Sequence, residues 1–320
     1  MYGALSYVWG DSNRWKSVIM NGEPFPITQN VYDALKHIRS RDTLRKIWVD
    51  AICIDQTNKD ERNSQVLIIG DIYSSAQQVI NWLGPATSNT ALGMRALAFL
   101  FGDEDITFAP PWDSHPARQP RAAFHDILKR GYFERMWVIQ ENALASKITL
   151  QDGNHTLTWL RGAEMHRDIC RIKFAVISPS WDSAGLQDVD FRPLLEVLEQ
   201  NRMITRMNMQ KPCRETTILD QAFDMRYRKA TDRRDMLFAL RNMIPEDMKA
   251  YFVVDYTKSV DELYAEFFNE VKKEYEEEMK FVEQAENERL EKERLERERI
   301  KNSLQGSGGE RGRYREIVMG

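Results

Sequence analysis

Asp50 interrupts the run Ile47-Trp48-Val49-Asp50-Ala51-Ile52-Cys53-Ile54, and a carboxylate among so many apolar neighbours costs free energy unless it is paired or put to use. Asp55 and Gln56 come directly after that run. Trp9-Gly10-Asp11 follows another, Ala4-Leu5-Ser6-Tyr7-Val8, and Arg135 and Glu141 lie in a third segment, Tyr132-Phe133-Glu134-Arg135-Met136-Trp137-Val138-Ile139-Gln140-Glu141. If the first two runs are strands of one sheet, their ends bring an indole, a glycine that admits close backbone approach and several carboxylates to one edge, where open α/β sheets bind ligands. Arg135 could hold a phosphate or Asp50. Each residue also has a purely structural reading. Asp50 could be bonded to loop amides or to Arg135, and Trp9 could be a core residue beside a turn glycine. Glu141 could pair with Arg135 or Lys147 on a helix surface, and Arg135 could belong to a surface ion pair. Tyr7 and Trp137 read as core, and Cys53, within a buried strand, as a small hydrophobe.

The elements that must position these residues alternate along the chain. After the first strand, Val18 and Met20 face Phe25 and Ile27 across Asn21-Gly22, the signature of a tight hairpin. Thr28 can cap a helix with the stripe Val31, Ala34, Leu35, Ile38. Ile47 to Ile54 reads as a strand covered on both faces, the loop Asp55 to Asp60 follows, and then a helix with Val66, Ile69, Ile72, Tyr73 and Ala76 inward. Val79 to Leu83 is a third strand, stopped by Gly84-Pro85. Further helices are expected near Met94 to Phe101, at Arg121 to Lys129 and at Tyr132 to Ala145. Gly102 to Gln119 reads as a long loop. Ile148 to Leu150 and Thr156 to Thr158 form a second hairpin, and the rest through Ile244 looks mainly helical. The alternation is that of an α/β fold with a parallel sheet. A strand beginning within four residues of Met1 suggests a chain truncated at its start.

The 320 residues carry a formal charge of −4 and are 42% hydrophobic, which suits a folded chain and argues against nucleic-acid binding. Cys53, Cys170 and Cys213 are odd in number and far apart, and with no signal peptide visible they read as free thiols in the cytoplasm. No apolar run approaches the length that spans a membrane. The sequence contains no phosphate-cradling glycine loop, no G-x-S-x-G, no H-E-x-x-H and no C-x-x-C, and no metal site is expected. Asn154-His155-Thr156 fits a glycosylation sequon and reads as a turn.

The three chemistry-bearing segments, the second extended through Asp60-Glu61-Arg62 to Ile72-Tyr73-Ser74-Ser75-Ala76, resemble in order and spacing the heterokaryon incompatibility (HET) domain of filamentous fungi. Arg228-Lys229-Ala230-Thr231-Asp232-Arg233-Arg234-Asp235-Met236-Leu237-Phe238-Ala239-Leu240 and Val254-Asp255-Tyr256 resemble a downstream region common in these proteins. The resemblance implies a part in non-self recognition and programmed cell death. HET domains in turn look like relatives of TIR domains, some of which cleave NAD. Leu5-Ser6-Tyr7 fits the TIR opening strand, Asp55 to Asp60 corresponds to its functional loop, and Glu141 stands four residues after Trp137, as the TIR catalytic glutamate follows a tryptophan.

The resemblance implies an α/β fold with a TIR/flavodoxin-like parallel sheet, added β-hairpins and a mainly helical C-terminal part. It makes Glu141 the catalytic candidate, stabilising an oxocarbenium-like ribose. Trp9, Gly10, Asp11, Asp50, Asp55, Gln56 and Arg135 would bind substrate, with Trp9 stacking on a nicotinamide or adenine ring. NAD would be a substrate, and no cofactor is expected. The rival reading is a non-catalytic assembly module docking through Asp55 to Asp60. Partners would be further copies of the chain or another incompatibility or NLR-type protein, with no nucleic acid or membrane. The expected divisions are a HET domain over 1–176, a helical extension over 177–258, a charged solvent-exposed helix over 259–305 and a flexible tail over 306–320. In the charged helix Leu263, Phe267, Val271 and Tyr275 could pack the first turns. Leu290, Leu295 and Ile300, five apart, make no coiled-coil seam, and this helix departs from the HET pattern.

Overall fold

Near-continuous apolar runs make strands that can be buried on both faces, and two such runs form the centre of the sheet. The structure is a computed structural model that describes residues 1–11, 13–102, 110–113, 116, 118–160, 163–199, 222, 225–244, 249 and 252–306. Its strands are β1 (Gly3–Tyr7), β2 (Trp15–Met20), β3 (Glu23–Thr28), β4 (Ile47–Trp48), β5 (Gln78–Gly84), β6 (Lys147–Asp152) and β7 (His155–Leu160). The main sheet runs β4-β1-β5-β6-β7, parallel from β4 to β6, with β7 antiparallel to β6. Every residue of β1 is buried, as is β5 beyond its first residue. The fold is α/β with a mostly parallel sheet.

The principal helices are α1 (Gln29–Ile38), α2 (Asp50–Cys53), α3 (Lys59–Ser75), α4 (Thr90–Phe101), α5 (Arg118–Leu128), α6 (Trp137–Leu144) and α7 (Ala163–Val176). Thr28 caps α1 by accepting from the Val31 amide, and Val31, Ala34 and Ile38 are buried against Leu5, Tyr7, Ile80 and Trp82. Asn58 caps α3 by accepting from the amides of Asp60 and Glu61, and Val66, Ile69, Gly70 and Tyr73 are its buried side. Successive strand residues point to opposite faces, so β1 presents Leu5 and Tyr7 to the α1 side and Ala4 and Ser6 to the other.

The run Ile47 to Ile54 departs from its expected form. Only Ile47 and Trp48 pair with β1, opposite Gly3 and Ala4. The chain then turns into α2, where the amides of Ile52 and Cys53 donate to the Val49 carbonyl (3.0 and 2.8 Å) and Ile54 to that of Asp50 (3.0 Å). Asp50 promotes the turn by accepting from the Ala51 amide (2.7 Å). A short apolar run does not distinguish strand from helix, and Asp50 resolves it. Cys53 is exposed, not a core thiol. Likewise Tyr132 to Ala145 is not one helix. A 3₁₀ turn at Gly131–Glu134 is separated from α6 by extended Arg135.

The hairpins form as two-residue turns, Asn21-Gly22 with φ of 53° and 89°, and Gly153-Asn154 with Gly153 at 56°. The expected loop Gly102 to Gln119 falls largely outside the described residues, as do Cys213 and residues 307–320 of the tail.

The chain divides into two compact units, Met1–Leu263 and Tyr264–Gly320. One helix covers Val260–Gly306. Within the second unit Leu290 and Leu295 are exposed, and Tyr275 is exposed instead of packing a first turn. Ion pairs at helical spacing, such as Glu291–Arg294 at 2.8 Å and Glu293–Arg297 at 3.8 Å, add a few tenths of a kcal/mol each, of order 0.3–0.5. No helix among the described residues is long and apolar enough to cross a membrane.

Candidate functional site

A hydroxyl on a strand buried on both faces must find its partners inside. Ser6 Oγ donates to the Glu141 carboxylate, delivered by α6, and stands 2.8 Å from the hydroxyl of Tyr132. Since Ser6 has one proton, Tyr132 is the donor to it. Tyr132 in turn accepts from Asn142 Nδ2 (2.8 Å), and Asn142 Oδ1 accepts from Asn81 Nδ2 on β5 (2.5 Å). The protons all run one way, from Asn81 through Asn142, Tyr132 and Ser6 to Glu141, an arrangement in which each bond polarises the next. Beside it Tyr73 of α3 donates to the Leu5 carbonyl (3.2 Å).

Glu141 is 5% exposed, and burial pushes its carboxyl up to about 7 against the pull of Arg135, the Ser6 hydrogen bond and the Tyr73 hydroxyl, with the Asp50 charge adding to the rise. Among the described residues Glu141 forms no ion pair. Neither does Arg135, although its charge is felt at Glu141, Tyr7 and Tyr73. The Arg135 backbone is fixed instead by the downstream region. Met136 N donates to the Lys229 carbonyl (2.9 Å) and Lys229 N to that of Glu134 (2.6 Å). The buried Arg228 guanidinium donates to the Phe133 carbonyl (2.7 Å) and to Glu196 (2.9 Å).

On the α1 side of β1, the Tyr7 hydroxyl donates to Asp50 Oδ1 (2.6 Å) and Trp9 Nε1 to Asp50 Oδ2 (3.1 Å). Burial, then the Asp50 charge, raises the Tyr7 hydroxyl well above its ordinary range, so it stays a donor. Gln56 Nε2 reaches the Asp50 carbonyl at 3.4 Å. Trp9 is 39% exposed, so it lies on the surface and not in the core.

Of the residues expected to act together, Glu141, Asp50, Trp9 and Arg135 gather around the end of β1, with Gln56 behind Asp50. The other three serve their own loops. Gly10 has φ 79°, and a Cβ there would meet the Asn30 side chain at 3.1 Å, so what approaches its backbone is Asn30. Asp11 accepts from the Asn13 amide (2.9 Å) and faces Arg14 (3.7 Å). Exposed Asp55 accepts from Thr57, whose hydroxyl holds its carboxyl below the usual range. Sequence reasoning missed Ser6, Tyr73, Tyr132, Asn81 and Asn142. Ser6 and Asn81 carried the available signal, each a polar side chain inside an apolar strand. No group of three metal-ligating side chains occurs among the described residues.

Residues 2–141 match the family model described as heterokaryon incompatibility protein (HET). The chain is similar to heterokaryon incompatibility protein 6, OR allele, of Neurospora crassa, at 33% identity over 187 aligned positions that cover 45% of this chain. The aligned part is 28% of the length of that relative. No solved structure matches the chain significantly.

Proposed function

We propose that the protein, whose residues 2–141 match the HET family model, acts in fungal non-self recognition as a cell-death effector that cleaves the nicotinamide–ribose bond of NAD. The observation that carries the catalytic part is the relation of Glu141 to Arg135. A buried carboxylate and a half-buried guanidinium attract one another without closing an ion pair, leaving both charges for a ligand that bears a cationic ring and phosphates. Counted within the main sheet, the strand order is 2-1-3-4-5, the doubly wound order whose ligands bind beside the first strand, and Ser6, Tyr7 and Trp9 lie at that place.

In this reading Arg135 holds the pyrophosphate and Trp9 stacks on a ring of the dinucleotide. The C1′–N bond breaks, and its electron pair leaves with the nicotinamide, which becomes neutral and needs no acid. Ionised Glu141, oriented by Ser6, stabilises the positive ribose. Water adds to C1′, and its proton passes to solvent. Only the ionised form of Glu141 supports this, so turnover rises with pH through about 7.

Glu141→Gln keeps the shape and removes the charge. Cleavage, followed as nicotinamide release, falls by at least about a hundredfold. In a fungal host the variant accumulates without toxicity. A folded Glu141→Gln protein that still kills and depletes NAD overturns the site; one that kills without NAD loss supports the assembly module docking through Asp55 to Asp60.

A further inference from the structure

The two edges of the β2–β3 hairpin are unlike. In a two-residue hairpin the pair flanking the turn, here Met20 and Glu23, exchanges hydrogen bonds, and such pairs alternate with pairs that exchange none. Val18–Phe25 and Lys16–Ile27 are therefore the next bonded pairs, and the Gln29 amide donating to the Arg14 carbonyl at 2.8 Å continues the series. The remaining residues turn their backbone groups outward. On β3 these are Pro24, Pro26 and Thr28, and two of the three have no N–H to offer. On β2 they are Trp15, Ser17 and Ile19, each with an N–H and a carbonyl. No hydrogen bond to those groups occurs among the described residues, and the hairpin stands as a two-stranded sheet of its own. Sheets usually protect their edges; this one protects β3 and leaves β2 open.

Side chains repeat the asymmetry. The inner face, with Val18, Phe25 and Ile27, packs against the core cluster of α1. The outer face carries Trp15, 59% exposed, and Ile19, 72% exposed, beside Pro24 and Pro26.

We propose that β2 is a self-association edge, pairing antiparallel with β2 of a second copy about a two-fold axis at Ser17. In this register Ser17 meets Ser17 and Trp15 of each chain meets Ile19 of the other. All the outward groups of both strands are then used, in about six hydrogen bonds. The Trp15–Ile19 contact is an aromatic–β-branched cross-strand pair, formed twice, and it covers the most exposed apolar residues of the hairpin. Arg14 and Lys16 fall opposite uncharged Met20 and Val18, and Arg14 enters the row of acidic Glu23. The proline edges lie on the outside of the resulting four-stranded sheet, so growth stops at two copies and the assembly is closed. That closure, with the self-complementary register, identifies the occupant as a second copy.

Sedimentation equilibrium of the full chain tests this, read together with amide exchange. The weight-average mass rises with concentration from 37.5 kDa toward twice that value, and the amides of Trp15, Ser17 and Ile19 become protected in step. Ser17→Pro removes the central N–H, which the hairpin itself does not use, and the variant stays monomeric with an unchanged melting temperature. Ile19→Lys retains every backbone group and weakens association at least tenfold. A mass independent of concentration overturns the proposal. So does a dimer whose three β2 amides exchange freely, or a folded Ile19→Lys protein that associates as well as the unaltered chain.

Discussion

Glu141 is a carboxyl that the fold makes harder to ionise, with consequences for stability as well as for chemistry. In the unfolded chain it titrates near 4.5, and in the fold at about 7. Between these values the folded state binds more protons, so the contribution of Glu141 is fully present below about 4.5 and is lost as pH rises through 7. Glu141→Gln cannot ionise and escapes the loss. At about pH 8 it should be more stable than the unaltered protein by roughly 1–3 kcal/mol, the difference fading toward pH 4.5. Chemical denaturation across pH measures this, and a variant less stable at pH 8 contradicts it. Substitution of Asp50 has the opposite effect on stability. It accepts from Tyr7, Trp9 and Ala51, and Asp50→Ala leaves the buried Tyr7 hydroxyl without its acceptor. A fall in stability of about 1–3 kcal/mol is expected, and an unchanged denaturation midpoint would show that water replaces the carboxylate at no cost.

At the scale of elements, the stripe of α1, the apolar runs of β1 and β5 and the Asn21-Gly22 turn were legible because each is specified by neighbours in sequence. The run after Ile47 was not. Its pattern fits strand and helix alike, and the Asp50 carboxylate that turns the chain at the Ala51 amide is held by a hydroxyl from Tyr7, 43 positions away. The proton chain ending on Glu141 was illegible for the same reason, since Ser6 and Glu141 are 135 positions apart and only the folded sheet unites them. The break at Arg135 likewise depends on distant Lys229 and Arg228. Arg228→Ala therefore tests an element from afar. It removes a buried cation, leaves the Phe133 carbonyl without its donor and strips Glu196 of its cationic partner, leaving it the Tyr227 hydroxyl. A loss of about 2–4 kcal/mol is expected, together with increased amide exchange across residues 131–141. A loss of stability without that local change would place the role of Arg228 elsewhere.

At the scale of the molecule, the stretch that matches the family, 2–141, is smaller than the body that folds. It ends inside α6, before β6 has entered the sheet between β5 and β7, and it lacks the Tyr256 ring that lies 3.8 Å from the Arg62 guanidinium. A fragment of residues 2–141 should show no cooperative melting transition, whereas a fragment of residues 1–263, the first compact unit, should retain one; differential scanning calorimetry distinguishes them. Two separate supports from the downstream stretch, Arg228 on the Phe133 carbonyl and Asp235 hydrogen-bonded to Trp137, then have a genetic consequence. Asp235 is buried and accepts from the Tyr256 hydroxyl at 2.5 Å, so lesions there weaken the support beneath Arg135 and Glu141 without touching either. On the proposed function, selection for survivors of the cell death it causes should yield alleles in this downstream stretch as readily as in the family-matched one. The downstream alleles would be heat-sensitive, with function restored on cooling, while alleles at Glu141 would be null at every temperature.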